Sequence, residues 1–183
     1  MGFQYLLPKM EYIQSLGIEI TWEFLRLGLI GDTPFSQFFS PEEIIEYAQE
    51  KLAYEPVDDK VIQLAIQGKE DVLKIDALLR ELAQGEGVFK DLEHRKWKAL
   101  YLSCRLKERA DHISGLCELA EIWQQIGTPT ERSYYIQGVG NEHIPQNFYT
   151  VENYKMLFLK SKEVLDTLLC EIKTLKKQKD NCI

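Results

Sequence analysis

The sequence is poor in the residues that usually announce chemistry or covalent architecture. It has three histidines, His94, His112 and His143, and no two of them stand in an H-x-x-x-H relation. H-E-x-x-H is absent, which excludes the helical zinc-hydrolase signature. Glu93-His94 and Asp111-His112 are sequence neighbours. Adjacent helical residues do not face each other, so neither pair forms a joint ligand set. The four cysteines, Cys104, Cys117, Cys170 and Cys182, give no C-x-x-C spacing, which excludes a zinc ribbon or a redox motif of that kind. Cys104, Cys117 and Cys170 fall among apolar residues in predicted helices and are expected as small core residues. Cys182 belongs to the tail. No G-x-S-x-G occurs, and Gly138-Val139-Gly140 is not followed by G-K-[ST]. The nucleophile elbow and the phosphate loop are therefore missing. No catalytic residue, metal site or cofactor is expected.

Other shortages bound the class. Six prolines and eleven glycines are too few for a linker-rich or fibrous chain. No stretch reaches the roughly 18 apolar residues of a membrane span. The opening MGFQYLLPKM has no basic region ahead of an apolar run, and Leu6 stands where a myristoylation motif requires Ser or Thr. The expectation is a cytoplasmic protein with no membrane partner. Basic residues are outnumbered, giving a net charge of −7. Such a chain repels a phosphate backbone, so nucleic acid is not an expected partner.

What is present is an ordinary globular composition, 45% hydrophobic and 28% charged over 183 residues. That suits one domain, 1–183, with its own core. Helical signals dominate. Thr21 stands as an N-cap, with Trp22, Leu25 and Leu29 on one face and a stop at Gly31. Ser40-Pro41-x-Glu43 is a capping box with Pro at the first helical position, and Ile44, Ile45, Ala48 and Leu52 share a face. Asp58 or Asp59 opens a short helix containing Val61, Ile62, Leu64 and Ala65. Residues 70–84 carry a stripe of Val72, Ile75, Leu79 and Leu82. Residues 89–108 read as a longer helix with a strongly charged outer face, and 112–125 place Ile113, Leu116, Ala120 and Trp123 together.

Residues 127–150 break this pattern. Gly138, Gly140 and Pro145 interrupt them, and Tyr134, Tyr135, Phe148 and Tyr149 concentrate there. A short strand or hairpin around 134–139 is compatible with the spacing. Loops of this length inside compact domains are often functional. Thr150 then caps a long last helix, 151–178, where Tyr154, Phe158, Ser161, Leu165, Leu168, Ile172 and Leu175 form a heptad seam. A core helix spanning the domain is preferred over a coiled coil for this seam. The expected fold is all-α: an irregular bundle or stacked helical hairpins of seven to eight helices, with one long irregular loop and a long C-terminal helix.

Carboxylates remain the main chemical feature. Glu42/Glu43, Asp58/Asp59 and Glu70/Asp71 are adjacent pairs, but each lies near a helix start, where the dipole favours acids. Residues 42–59 hold seven acidic side chains and one basic one, Lys51, a local charge of −6. A solvated face accounts for such a run. The functional counterpart is an electrostatic landing site for a basic protein.

Four stretches together, ITWEFLRLGLIG, SPEEIIEYAQEKL, RKWKALYLSCRL and GLCELAEIWQQIGTP, resemble a family of small acidic bacterial proteins known only as a domain of unknown function. The resemblance covers most of residues 18–130. It implies an association with polymorphic-toxin loci, where a small partner protects the cell from its own toxin, and it implies no catalytic residues. The expected function is thus that of a non-catalytic immunity protein occluding a basic toxin domain. Glu42, Glu46, Glu50, Asp58 and Asp59 would supply the charged surface, and Tyr134, Tyr135 and Phe148 the aromatic anchors. Packing of those aromatics onto the core is an equal alternative. A helical adaptor or oligomerisation module, pairing through the heptad seam, is the alternative function.

Overall fold

The computed structural model describes residues 10–54, 58–87, 90–127, 137 and 145–180, with the backbone alone at 54 and 176–180. The fold is all-α, with no strand among the described residues. The elements are α1 (Met10–Ser15), α2 (Trp22–Ile30), α3 (Pro41–Tyr54), α4 (Asp59–Ala65), α5 (Val72–Glu86), α6 (Lys90–Arg105), α7 (His112–Ile126), α8 (Pro145–Phe148) and α9 (Val151–Asp180). Their residues divide into two compact units, 1–97 and 98–183. The hairpin expected near 134–139 lies outside the described residues, apart from 137.

Helix starts follow the caps written in the sequence. Thr21 Oγ1 accepts from Phe24 N at 3.1 Å. Ser40 and Glu43 exchange both bonds of a capping box: Glu43 N donates to Ser40 Oγ at 3.2 Å and Ser40 N to Glu43 Oε2 at 2.9 Å. Asp58 caps α4 through Lys60 N, Asp111 caps α7 through Ser114 N, and Thr150 caps α9 through Asn153 N. Each bond satisfies a donor that the first helical turn leaves open, worth about 1 kcal/mol.

In the first unit α2 packs on α5, and α4 packs on both α3 and α5. Its core centres on Trp97. Phe24 stacks on the indole at 4.2 Å, and Phe38 and Phe39 meet it edge-on at 4.9 and 5.7 Å. Such ring pairs add about 0.5–1.5 kcal/mol each beyond the area they bury. Gly28, in the middle of α2, makes this possible. Its carbonyl accepts from Phe38 N at 2.9 Å. A Cβ there would come within 2.5 Å of Phe39 and 2.8 Å of Trp97. Helix propensity disfavours Gly by about 1 kcal/mol, and close ring approach outweighs it.

In the second unit α7 packs on α9. Leu116, Leu119, Ile122, Trp123 and Ile126 are buried from α7, and Tyr154, Leu157, Phe158 and Ser161 from α9. Gly115 lets the Tyr154 ring lie against the α7 backbone. Trp123 Nε1 donates to Ser161 Oγ at 3.1 Å, and Ser161 Oγ donates to Leu157 O at 2.8 Å. The first half of the heptad seam is therefore core, the role preferred for it from the sequence.

Several expectations need correction. Cys117 and Cys170 are exposed and Cys104 is half-buried. Cys117 and Cys170 sit on the outward flank of their helices rather than in the core. Burial of Cys104 still pushes its thiol up to about 11. Leu52, Val72 and Ile113, counted on apolar stripes, are exposed near the edges of those stripes. The charged run of α6 is not all outward either: Glu93 and Lys96 are buried in the first unit.

Candidate interaction surface

Glu42, Glu46, Glu50, Asp58 and Asp59 are all exposed, on two helices that pack against each other. Two contacts fix how the helices run. Gln49 Nε2 donates to Ala65 O at 2.9 Å, and Lys69 Nζ lies 3.4 Å from Glu42 Oε1. The chain leaving α4 thus travels back toward the start of α3. Asp58 spends one oxygen on its cap, at Lys60 N. The Glu42 carboxyl is held below its ordinary value, first by its own backbone N–H, then by Lys69 and Ser40. It keeps its charge further into acid than a free glutamate.

Apolar side chains are also exposed on α4, at its C-cap and at the start of α5. Ile62, Ile66, Val72 and Leu73 are exposed, with Ile66 at 74% and Leu73 at 89% the most exposed large apolar residues among those described. Sequence reading of candidate anchors missed them. The signal was there in phase: Ile62 falls off the Val61–Leu64–Ala65 face of α4, and Leu73 falls off the Ile75–Leu79–Leu82 face of α5. The anchors that were expected fare differently. Tyr134 and Tyr135 lie outside the described residues. Phe148 is 2% exposed and meets Tyr149 edge-on at 5.2 Å, so packing, not presentation, describes it.

Two other places in the first unit gather charge. Glu93 and Lys96 form a fully buried pair at 2.7 Å, one turn apart on α6. Thr21 Oγ1 donates to Glu93 Oε2 at 2.9 Å, and Glu86 Oε2 accepts from Trp22 N at 2.9 Å. Two carboxylates from α5 and α6 thereby anchor the start of α2. Burial raises the Glu93 pKa, with Lys96 and Thr21 opposing it. A buried acid of this sort is a place to look for catalysis. Here its oxygens are taken by Lys96 and Thr21 and have no exposed surface, so the arrangement fixes α2 against α6.

The second place is an open cavity of about 470 Å³ lined by Glu23, Arg26, Arg80, Ala83, Gln84 and Lys90. Arg26 is clamped to Glu23 by two bonds of 2.7 and 2.8 Å and lies 3.5 Å from Asp76. Arg80 reaches Asp76 at 3.0 Å. The Glu23 hydrogen bond pushes the Arg26 pKa further up. Both guanidiniums are thus matched by carboxylates, and Lys90 adds a third cation. Among the described residues no group of three or more His, Cys, Asp or Glu side chains is placed to hold a metal ion. No described helix is long and apolar enough to cross a membrane.

No curated protein and no solved structure matches the chain. A family described as an uncharacterized protein conserved in bacteria (DUF2247) matches residues 10–167, and the chain belongs to that family.

Proposed function

We infer that this chain is a non-catalytic protein-binding protein, an immunity protein that neutralises a cognate bacterial toxin by covering it. The observation that carries the reading is the exposure of Glu42, Glu46, Glu50, Asp58 and Asp59 on the packed pair α3 and α4. A surface of one sign steers a basic partner to it and raises the association rate. Occlusion then needs only a stable interface, not bond chemistry. The buried Glu93–Lys96 pair and the bridged arginines of the cavity are matched internally, which supports binding over catalysis. The adaptor reading draws less support, because Tyr154, Phe158 and Ser161 of the seam are already buried.

The test is co-expression of this chain with the toxin domain proposed as its partner. The wild-type chain restores growth, and Glu46→Lys/Glu50→Lys does not, although its unfolding midpoint is unchanged. Equal rescue and equal binding by the charge-reversed protein would contradict the reading.

A further inference from the structure

The open cavity formed by α2, α5 and the start of α6 is independent of the carboxylates on α3 and α4. Glu23, Arg26, Arg80, Ala83, Gln84 and Lys90 line it, and all six belong to the first unit. Its volume of about 470 Å³ falls in the range of small-molecule sites, about 300–1,000 Å³. The lining is polar apart from Ala83. Charge and hydrogen bonds, rather than an apolar wall, therefore select what enters.

The hydrogen-bonding capacity left over is of one kind. The carboxylate oxygens are engaged. Glu23 Oε2 accepts from Arg26 Nε at 2.7 Å, and Glu23 Oε1 from Arg26 Nη2 at 2.8 Å. Asp76, which is not in the lining, accepts at Oδ2 from Arg80 Nη2 at 3.0 Å. Its buried Oδ1 lies 3.5 Å from Arg26 Nη1. The donors are not used up. Arg80 spends one guanidinium nitrogen on Asp76, and the others have no partner among the described residues. Its side chain is 61% exposed. Among the described residues Lys90 makes no ion pair, and the Gln84 amide makes no hydrogen bond. Lys90 is also the first residue of α6, where the helix dipole disfavours a cation. Asp91 follows it, but adjacent helical residues do not face each other.

An acceptor-rich anion answers all of this. It meets donors on α5 and α6 at once and offsets the dipole cost of Lys90. We propose that the cavity is a binding site for a small acid carrying phosphate or carboxylate groups, held by charge-assisted hydrogen bonds from Arg80 and Lys90 and by the Gln84 amide. Arg26, clamped to Glu23, shapes the wall. A ligand that binds only the folded chain raises its unfolding midpoint as ligand concentration rises.

The experiment titrates the purified full chain with pyrophosphate and, separately, with citrate, by calorimetry and by thermal unfolding. At least one binds at a single site and raises the midpoint, and the two arms separate phosphate from carboxylate recognition. Lys90→Gln, which without ligand unfolds no earlier than the wild type, binds about tenfold more weakly. Lys173→Gln, the same charge change at an exposed position of α9, binds as the wild type does. Failure of both anions to bind would overturn the proposal. So would wild-type binding by both Lys90→Gln and Arg80→Gln, or an equal loss in Lys173→Gln. A polyglutamate peptide that binds where neither small anion does would make the occupant an acidic protein segment, which also overturns it.

Discussion

The α3–α5 side of the first unit and the α7–α9 pair of the second both set apolar side chains at helical spacing among charges, and they differ in how far the out-of-phase ones are exposed. In α9 the spaced residues Tyr154, Leu157, Phe158 and Ser161 are buried, while Lys155, Lys162 and Glu163 stay outside together with Met156 at 41% and Leu159 at 58% exposed. On α4 and α5 the in-phase residues Val61, Leu64, Ile75 and Leu79 are buried in the same way, and Ile62, Ile66 and Leu73 remain exposed, Ile66 at 74% and Leu73 at 89%. Periodicity finds the face that the chain covers itself. Apolar residues out of that phase, next to charge, mark a face the chain leaves uncovered.

Substitutions sharpen this contrast, beginning with the deepest site. Glu93 and Glu46 are the same residue type in opposite settings. Glu93→Ala strands a buried Lys96 and costs about 3–5 kcal/mol in urea unfolding, whereas Glu46→Ala leaves the midpoint in place. Leu157→Ala, fully buried on α9, costs about 2–5 kcal/mol in the same measurement.

A pH profile reports on Glu93. The folded Glu93 pKa is raised by burial from 4.5. The folded state then holds the proton more tightly than the unfolded one, so this contribution is full below about 4.5 and is lost as pH rises through the elevated folded value. Glu93→Gln removes that decline, and unfolding free energies measured from acid to neutral pH show a flatter curve for the variant over that window. The smallest effect falls on exposed apolar residues such as Leu73. Leu73→Ala shifts unfolding by less than about 0.5 kcal/mol, and a larger loss would mean that Leu73 is part of the core.

The caps explain why so much of the fold was legible. Thr21, Ser40 with Glu43, Asp58 and Thr150 act through bonds that span only a few residues, so local sequence contains them. The long last helix was equally plain from its seam. The Glu93–Lys96 pair was not, because its burial depends on Thr21, 72 positions away. A charged run on one helix looks solvated until a distant element closes over it. Cys117 and Cys170 misled in the opposite direction, since apolar neighbours in sequence are not neighbours in space. At the candidate surface the carboxylates were legible from charge density alone. Ile66 and Leu73 escape a reading built on apolar stripes, which discards whatever is out of phase.

The most direct test is amide hydrogen exchange of this chain, free and in complex with the toxin domain proposed as its partner. The account predicts slowed exchange across residues 42–53 and 58–73, with 151–172 unchanged. Protection along 151–172, with 42–73 exchanging as in the free protein, would contradict it.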